Sequence, residues 1–137
     1  MLYNDGDFSK YLRQREGKLF SENEILRFLA NIIIVVYHIN SKEIYHRDLK
    51  PENFLVKKDS NGRIYLHLND FGIARSSIAE TKRINTTTGN NQGSLYYMAP
   101  EILNAIKVKP DITKQDVWAI GVIAYQLCTF NLPFTGF

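Results

Sequence analysis

The residues His46-Arg47-Asp48-Leu49-Lys50-Pro51-Glu52-Asn53 set a carboxylate, an amine and an amide within a short stretch that runs straight into an apolar strand beginning Phe54-Leu55. Seventeen residues after Asn53 comes Asp70-Phe71-Gly72, directly behind a second strand-like run, Ile64 to Leu68. Ala99-Pro100-Glu101 follows 27 residues after Gly72. Taken singly, these residues say little. Asp48 with Lys50 is a solvated ion pair, His46 a packed core histidine, Phe71 and Leu55 plain core residues, and Asp-Phe-Gly a tripeptide that recurs by chance. In one fixed order, each in its own local context, they form a constellation: a hydrogen-bond acceptor (Asp48), a positive charge (Lys50) and oxygen donors (Asn53, Asp70).

The elements that must position them are legible from periodicity and capping. Asp7 is set to cap a short helix carrying Phe8, Tyr11 and Leu12, which Gly17 ends. Ser21 and Glu24 make a capping box, with Phe20 and Ile25 as its staple. Behind them Ile25, Phe28, Leu29, Ile32, Ile33, Val36 and Ile39 recur at helical spacing, and Ile34 and Val35 widen that face, so this helix is expected to be largely buried. Short strands are expected at Ile44-Tyr45, Phe54 to Val56 and Ile64 to Leu68, with Asn61-Gly62 as the hairpin turn between the last two. A final helix is expected from about Lys114, capped by Thr113. Its residues Val117, Trp118, Ile120, Val122, Ile123 and Leu127 nearly encircle it, as in a core helix.

Composition bounds the class. The chain has 137 residues, 45% hydrophobic and 23% charged, which excludes a disordered protein and fits one domain. The single cysteine, Cys128, excludes a disulfide scaffold and argues for a reducing compartment. Seventeen basic and 14 acidic residues leave a net charge of +3, too little to imply nucleic acid. With no leader-like start and no apolar run near the ~20 residues a span requires, the expectation is an intracellular, cytoplasmic protein without a membrane partner.

The order and spacing of the three motifs resemble the catalytic loop, metal-binding triplet and activation-segment end of eukaryotic protein kinases. The resemblance implies an α+β fold: a partial kinase domain over 1–137, the mainly α-helical C-terminal lobe with short β-hairpins, the N-terminal lobe being absent. It implies ATP and Mg²⁺ as cofactors and protein Ser/Thr hydroxyls as acceptors. Phosphoryl transfer needs positioning and charge compensation more than covalent chemistry. On the matching positions, Asp48 orients the acceptor hydroxyl and Lys50 compensates charge on the transferred group. Asn53 and Asp70 ligate Mg²⁺, which prefers hard oxygen donors. Glu52, Lys50, Asn53 and Asp70 contact the nucleotide, Leu55 forms the floor under the adenine, and Asp7 meets the ribose. Gly72 lets the backbone turn, and Phe71 and His46 pack behind the site. Asp116, in Asp116-Val117-Trp118-Ala119-Ile120-Gly121, is expected to bond the catalytic-loop backbone.

Lys50 two residues after Asp48, and Ser94 where a hydroxyl bridges the catalytic aspartate and lysine, resemble the Ser/Thr class. Asp70-Phe71-Gly72-Ile73-Ala74-Arg75, Tyr96-Tyr97 and Gln126-Leu127-Cys128-Thr129 are most similar to NIMA-related kinases. Arg47 before Asp48 resembles kinases switched on by activation-loop phosphorylation, here by another kinase acting on Thr86, Thr87 or Thr88. Asn90 occupies the more usual site. No Gly-rich phosphate loop, strand lysine or helix glutamate precedes the motifs, and the arginine partner of Glu101 does not follow. The isolated chain is therefore expected to fold poorly, expose apolar faces and transfer little phosphate. The alternative is a catalytically inactive binding module. A small-molecule phosphotransferase fits less well, because Ala99-Pro100-Glu101 and its long preceding loop build a protein-substrate platform.

Overall fold

The computed structural model describes residues 3–15, 17–69, 75–76, 92–103 and 111–135. The long central helix shows how the sequence builds the scaffold. This helix, α2 (Glu22–Asn40), starts on the expected capping box: Glu24 N–H donates to Ser21 Oγ at 3.3 Å and Ser21 N–H to Glu24 Oε2 at 2.9 Å. It follows α1 (Phe8–Gln14), whose N-cap is Asp7, with Oδ1 accepting from Lys10 N–H at 2.8 Å. Arg15, just past α1, pairs with Glu24 at 3.2 Å and lies over the Phe20 ring at 4.7 Å, so one arginine ties both helix ends. Phe20 packs edge-on to Phe28 (5.5 Å) and stacks on Phe130 (5.2 Å).

These bonds lower the Glu24 pKa. The backbone N–H of Ser21 contributes most; partial burial opposes it, and the Ser21 hydroxyl and Arg15 add to it. A depressed carboxylate stabilises the fold above its ordinary pKa, and the benefit is lost as pH falls through the lowered folded value. Urea unfolding from pH 7 to about 3 should show an acid limb that Glu24→Gln flattens. Ser21→Ala should cost about 1 kcal/mol at neutral pH.

Only one line of α2 is buried: Phe28, Ile32, Val36 and Ile39. Ile33 and Ile34 are 49% and 66% exposed, against the expectation of a widened buried face. Steps of 100° per residue carry 33 and 34 round the helix, away from that line.

Three strands, β1 (Tyr3–Asp7), β3 (Phe54–Lys58) and β4 (Ile64–Leu68), form an antiparallel sheet in the order β1-β3-β4. The β3–β4 hairpin closes as expected around Asn61-Gly62. Asp59 Oδ1 accepts from Asn61 and Arg63 N–H, and Gly62 takes a φ of +77° that favours glycine. β2 (Ile44–Tyr45) pairs with β5 (Arg75–Ser76). Neither β1 nor β5 was expected. β1 reads Tyr-Asn-Asp-Gly-Asp, poor in strand formers, and is held by the ladder to β3.

Two short helices, α3 (Gln92–Leu95) and α4 (Pro100–Leu103), precede α5 (Gln115–Thr129). The expected Thr113 cap is not found. Thr113 sits in a 3-10 turn, Ile112–Lys114, with its N–H and hydroxyl turned back onto Asp111 Oδ1, so α5 starts at Gln115. Nor is α5 buried all round. Gln115, Asp116, Ala119, Val122, Ile123 and Leu127 are buried, while Val117 is 61% and Tyr125 46% exposed. The outward face, with Trp118 stacked on Phe134 at 5.8 Å, borders a mainly apolar groove that also includes Glu101. The inward face joins α2, α1 and β3 in one core around Phe8, Phe28, Ile32, Phe54 and Ile123.

Candidate active site

Residues 46–53 run from β2 to a 3-10 turn, Pro51–Asn53, at the head of β3. Burial alternates along them. His46, Leu49, Pro51 and Asn53 are buried, whereas Arg47, Asp48 and Lys50 are part-exposed and Glu52 is exposed. The buried set anchors the loop and leaves the charged set facing out.

The anchor at its start is Asp116, fully buried at the head of α5. Its Oδ2 accepts from His46 N–H at 2.9 Å and its Oδ1 from Arg47 N–H at 2.7 Å. The Asn40 amide, turned to the orientation its neighbours satisfy, donates to Ile44 O at 2.9 Å and to Asp116 Oδ2 at 3.3 Å. These bonds support Arg47 at a φ of +68°, a left-handed conformation uncommon for a residue that carries a side chain. The structural role expected for Asp116 is met.

Lys50 is the centre of the exposed set. Its Nζ lies 3.0 Å from Asp48 Oδ2 and donates to Ser94 Oγ at 2.6 Å. Ser94 is in α3, 44 residues further along the chain, so this bond ties the 92–98 segment to the catalytic loop. The three residues expected together are together, with Lys50 as the bridge.

Asn53 is 8% exposed, and its Oδ1 is buried without a hydrogen-bond partner among the described residues. Its backbone carbonyl accepts from Asn69 N–H at 2.7 Å, so the chain leaving β4 passes beside it. Asp70, Phe71 and Gly72, and Thr86, Thr87 and Thr88, lie outside the described residues. Leu55 and Asp7 are partners across the β1–β3 ladder, which brings the two expected nucleotide contacts side by side. Leu55 is part-exposed, on the opposite face from the buried Phe54 and Val56. Glu52 borders a groove of about 320 Å³ with Ser9, Arg13, Gly93 and Tyr96.

Sequence reasoning missed the side chains that hold the 92–99 segment. Tyr97, 7% exposed, donates its hydroxyl to Gln126 Oε1 at 2.8 Å. Burial, and secondly the charge of Glu52, raise its pKa well above the ordinary phenol value. Buried Gln115 bonds the backbone of the same segment. Polar Gln126 within an apolar helix was the available signal.

Residues 1–136 match the protein kinase domain family, and the chain belongs to it. It is 38% identical over 137 residues to human serine/threonine-protein kinase Nek5, covering 99% of this chain and 18% of that protein. It is 35% identical over 129 residues to mouse serine/threonine-protein kinase Nek1, covering 94% and 10%. These relatives bear out the resemblance to NIMA-related serine/threonine kinases, and the chain spans less than a fifth of their length. A crystal structure of the Rad53 kinase domain and SCD2 in complex with AMPPNP superposes with a TM-score of 0.68 at 26% identity, over 96% of this chain and 43% of that one. The expected α+β kinase-like fold is what the structure shows.

Proposed function

We propose that this chain supplies the catalytic loop and acceptor platform of a protein kinase that transfers the γ-phosphoryl of Mg-ATP to Ser or Thr hydroxyls of proteins. The observation that carries this reading is Lys50 held between Asp48 and Ser94. It sets a carboxylate and an ammonium side by side, with the acceptor platform bonded to the same ammonium. Asp48 accepts a hydrogen bond from the acceptor hydroxyl and orients it. Lys50 offsets charge on the transferred group.

The buried Asn53 Oδ1, which has no hydrogen-bond partner among the described residues, is a hard oxygen of the type Mg²⁺ takes, so Asn53 fits as one ligand, with Asp70 as the other. Mg²⁺, when bound, neutralises phosphate charge. The Leu55–Asp7 pair suits the adenine and ribose, in keeping with the AMPPNP complex of the Rad53 kinase domain. Glu52, exposed in the groove beside Tyr96, belongs by its placement with the acceptor.

An activating kinase acting on Thr86, Thr87 or Thr88 would give Arg47 a charged partner. Replacing all three with alanine should then lower activity about tenfold or more; unchanged turnover rules that regulation out. An intracellular location is part of the same reading, supported by the free Cys128.

The test uses the longest natural protein that carries this segment, with Mg-ATP and Ser, Thr, Tyr and small-molecule acceptors. Transfer to Ser or Thr peptides alone is expected. Transfer to a small molecule instead, or partner binding with no transfer at all, overturns the reading.

A further inference from the structure

Ala99 is fully buried and lies just before α4, outside any strand or helix, so its N–H is in no strand ladder or helical turn. A buried backbone donor needs a partner. Gln115 provides it: Oε1 accepts from Ala99 N–H at 2.9 Å. The same carboxamide donates through Nε2 to Tyr97 O at 3.2 Å. Gln115 is itself 4% exposed, and both ends of its amide are engaged, which fixes its orientation. A carboxamide is the side-chain group that offers both an acceptor and a donor to a backbone in this way.

The next residue is Asp116, which holds His46 and Arg47. Two adjacent residues of one helical turn therefore hold the two halves of the candidate site, Asp116 the catalytic loop and Gln115 the acceptor platform. Lys50–Ser94 closes the circuit on the other side. The spacing between the halves is set at three places, and one of them, Gln115, is a buried, uncharged side chain bonded only to backbone among the described residues.

We infer that Gln115 is a positioning residue that fixes the height of the 97–99 backbone relative to Asp48, and so sets affinity for the acceptor peptide. The acceptor half of this inference rests on the kinase reading. The positioning half is read independently of activity.

The experiment compares wild type, Gln115→Met and Gln115→Glu in the longest natural protein carrying this segment. Methionine keeps length and bulk and loses both bonds. Glutamate keeps the acceptor for Ala99 N–H and loses the donor to Tyr97 O. In Gln115→Met, the KM for a Ser peptide should rise roughly tenfold, while kcat and the KM for ATP stay within about twofold. Exchange of the Ala99 amide should quicken roughly tenfold, with amides in the middle of α2 unchanged. In Gln115→Glu the Ala99 amide should regain protection while the peptide KM stays high. Should the methionine variant fail to fold, the glutamate variant still carries the peptide-KM comparison through loss of the donor to Tyr97 O, and Gln115→Leu carries the exchange comparison at Ala99.

An unchanged peptide KM, or a peptide KM that moves only together with kcat and the ATP KM, overturns the acceptor role. Unchanged exchange at Ala99 in Gln115→Met overturns the positioning itself. A wild-type protein that transfers no phosphate overturns the kinase reading and with it the acceptor role, while exchange still decides whether Gln115 positions this backbone.

Discussion

Asp48→Ala should lower phosphoryl transfer to a Ser or Thr peptide by roughly 10²–10⁴-fold, with ATP affinity within about threefold of wild type. Asp48 is part-exposed at the outer edge of a loop whose buried residues are His46, Leu49, Pro51 and Asn53. Its removal leaves that packing in place, so the loss is one of chemistry. Lys50→Met should cost roughly 10²–10³-fold in kcat, because it removes the ammonium that, among the described residues, bonds both Asp48 and the 92–98 segment. Ser94→Ala removes one of the two partners of Lys50 and leaves the charge, so about tenfold is expected. The ranking is the informative part. A site in which Lys50 and Asp48 formed only a surface pair would give small and similar effects for all three, since such pairs contribute about 0–1 kcal/mol. Steady-state kinetics on the three variants, with ATP binding measured separately, decides between these outcomes.

Much of the candidate site was legible in the sequence because near neighbours along the chain make it up. Asp48, Lys50 and Asn53 lie within one turn-and-strand unit, and the capping box at Ser21 and Glu24 is a contact between near neighbours. The hairpin at Asn61-Gly62 is of the same kind. What stayed hidden depends on partners far along the chain. β1 has little strand propensity and exists through its ladder to β3. β5, two residues long, exists through β2. The side of a helix that meets water is set by its neighbours. This is why Ile33, Ile34 and Val117, all counted with buried faces in the sequence, turn out exposed. Gln115 was unreadable, and Gln126 legible only as a polar residue in an apolar helix, for the converse reason: a polar residue in a helix has meaning only once the group it bonds is known.

The second large effect is expected at Asp116, and it separates architecture from chemistry. Asp116→Ala leaves the N–H groups of His46 and Arg47 without their acceptor in a site closed to water, and removes the support for the left-handed turn at Arg47. Each N–H to carboxylate bond contributes about 1.5–3 kcal/mol, and a stranded buried donor costs ~1–3. The variant should therefore lose about 3–5 kcal/mol, a large part of the stability of a typical domain. Asp116→Asn keeps one oxygen and turns an NH₂ toward the second donor, so about half of that loss is expected. Urea unfolding of the two variants reads these values directly. Activity should fall in both, but in the opposite pattern to Asp48→Ala. That change removes transfer from a stable protein, whereas Asp116→Asn should unfold early and retain measurable transfer in the fraction still folded. If Asp116→Ala unfolded within about 1 kcal/mol of wild type, the carboxylate would not be what holds the catalytic loop. The bonds from His46, Arg47 and Asn40 would then be incidental to a loop kept in place by the burial of Leu49 and Pro51 alone.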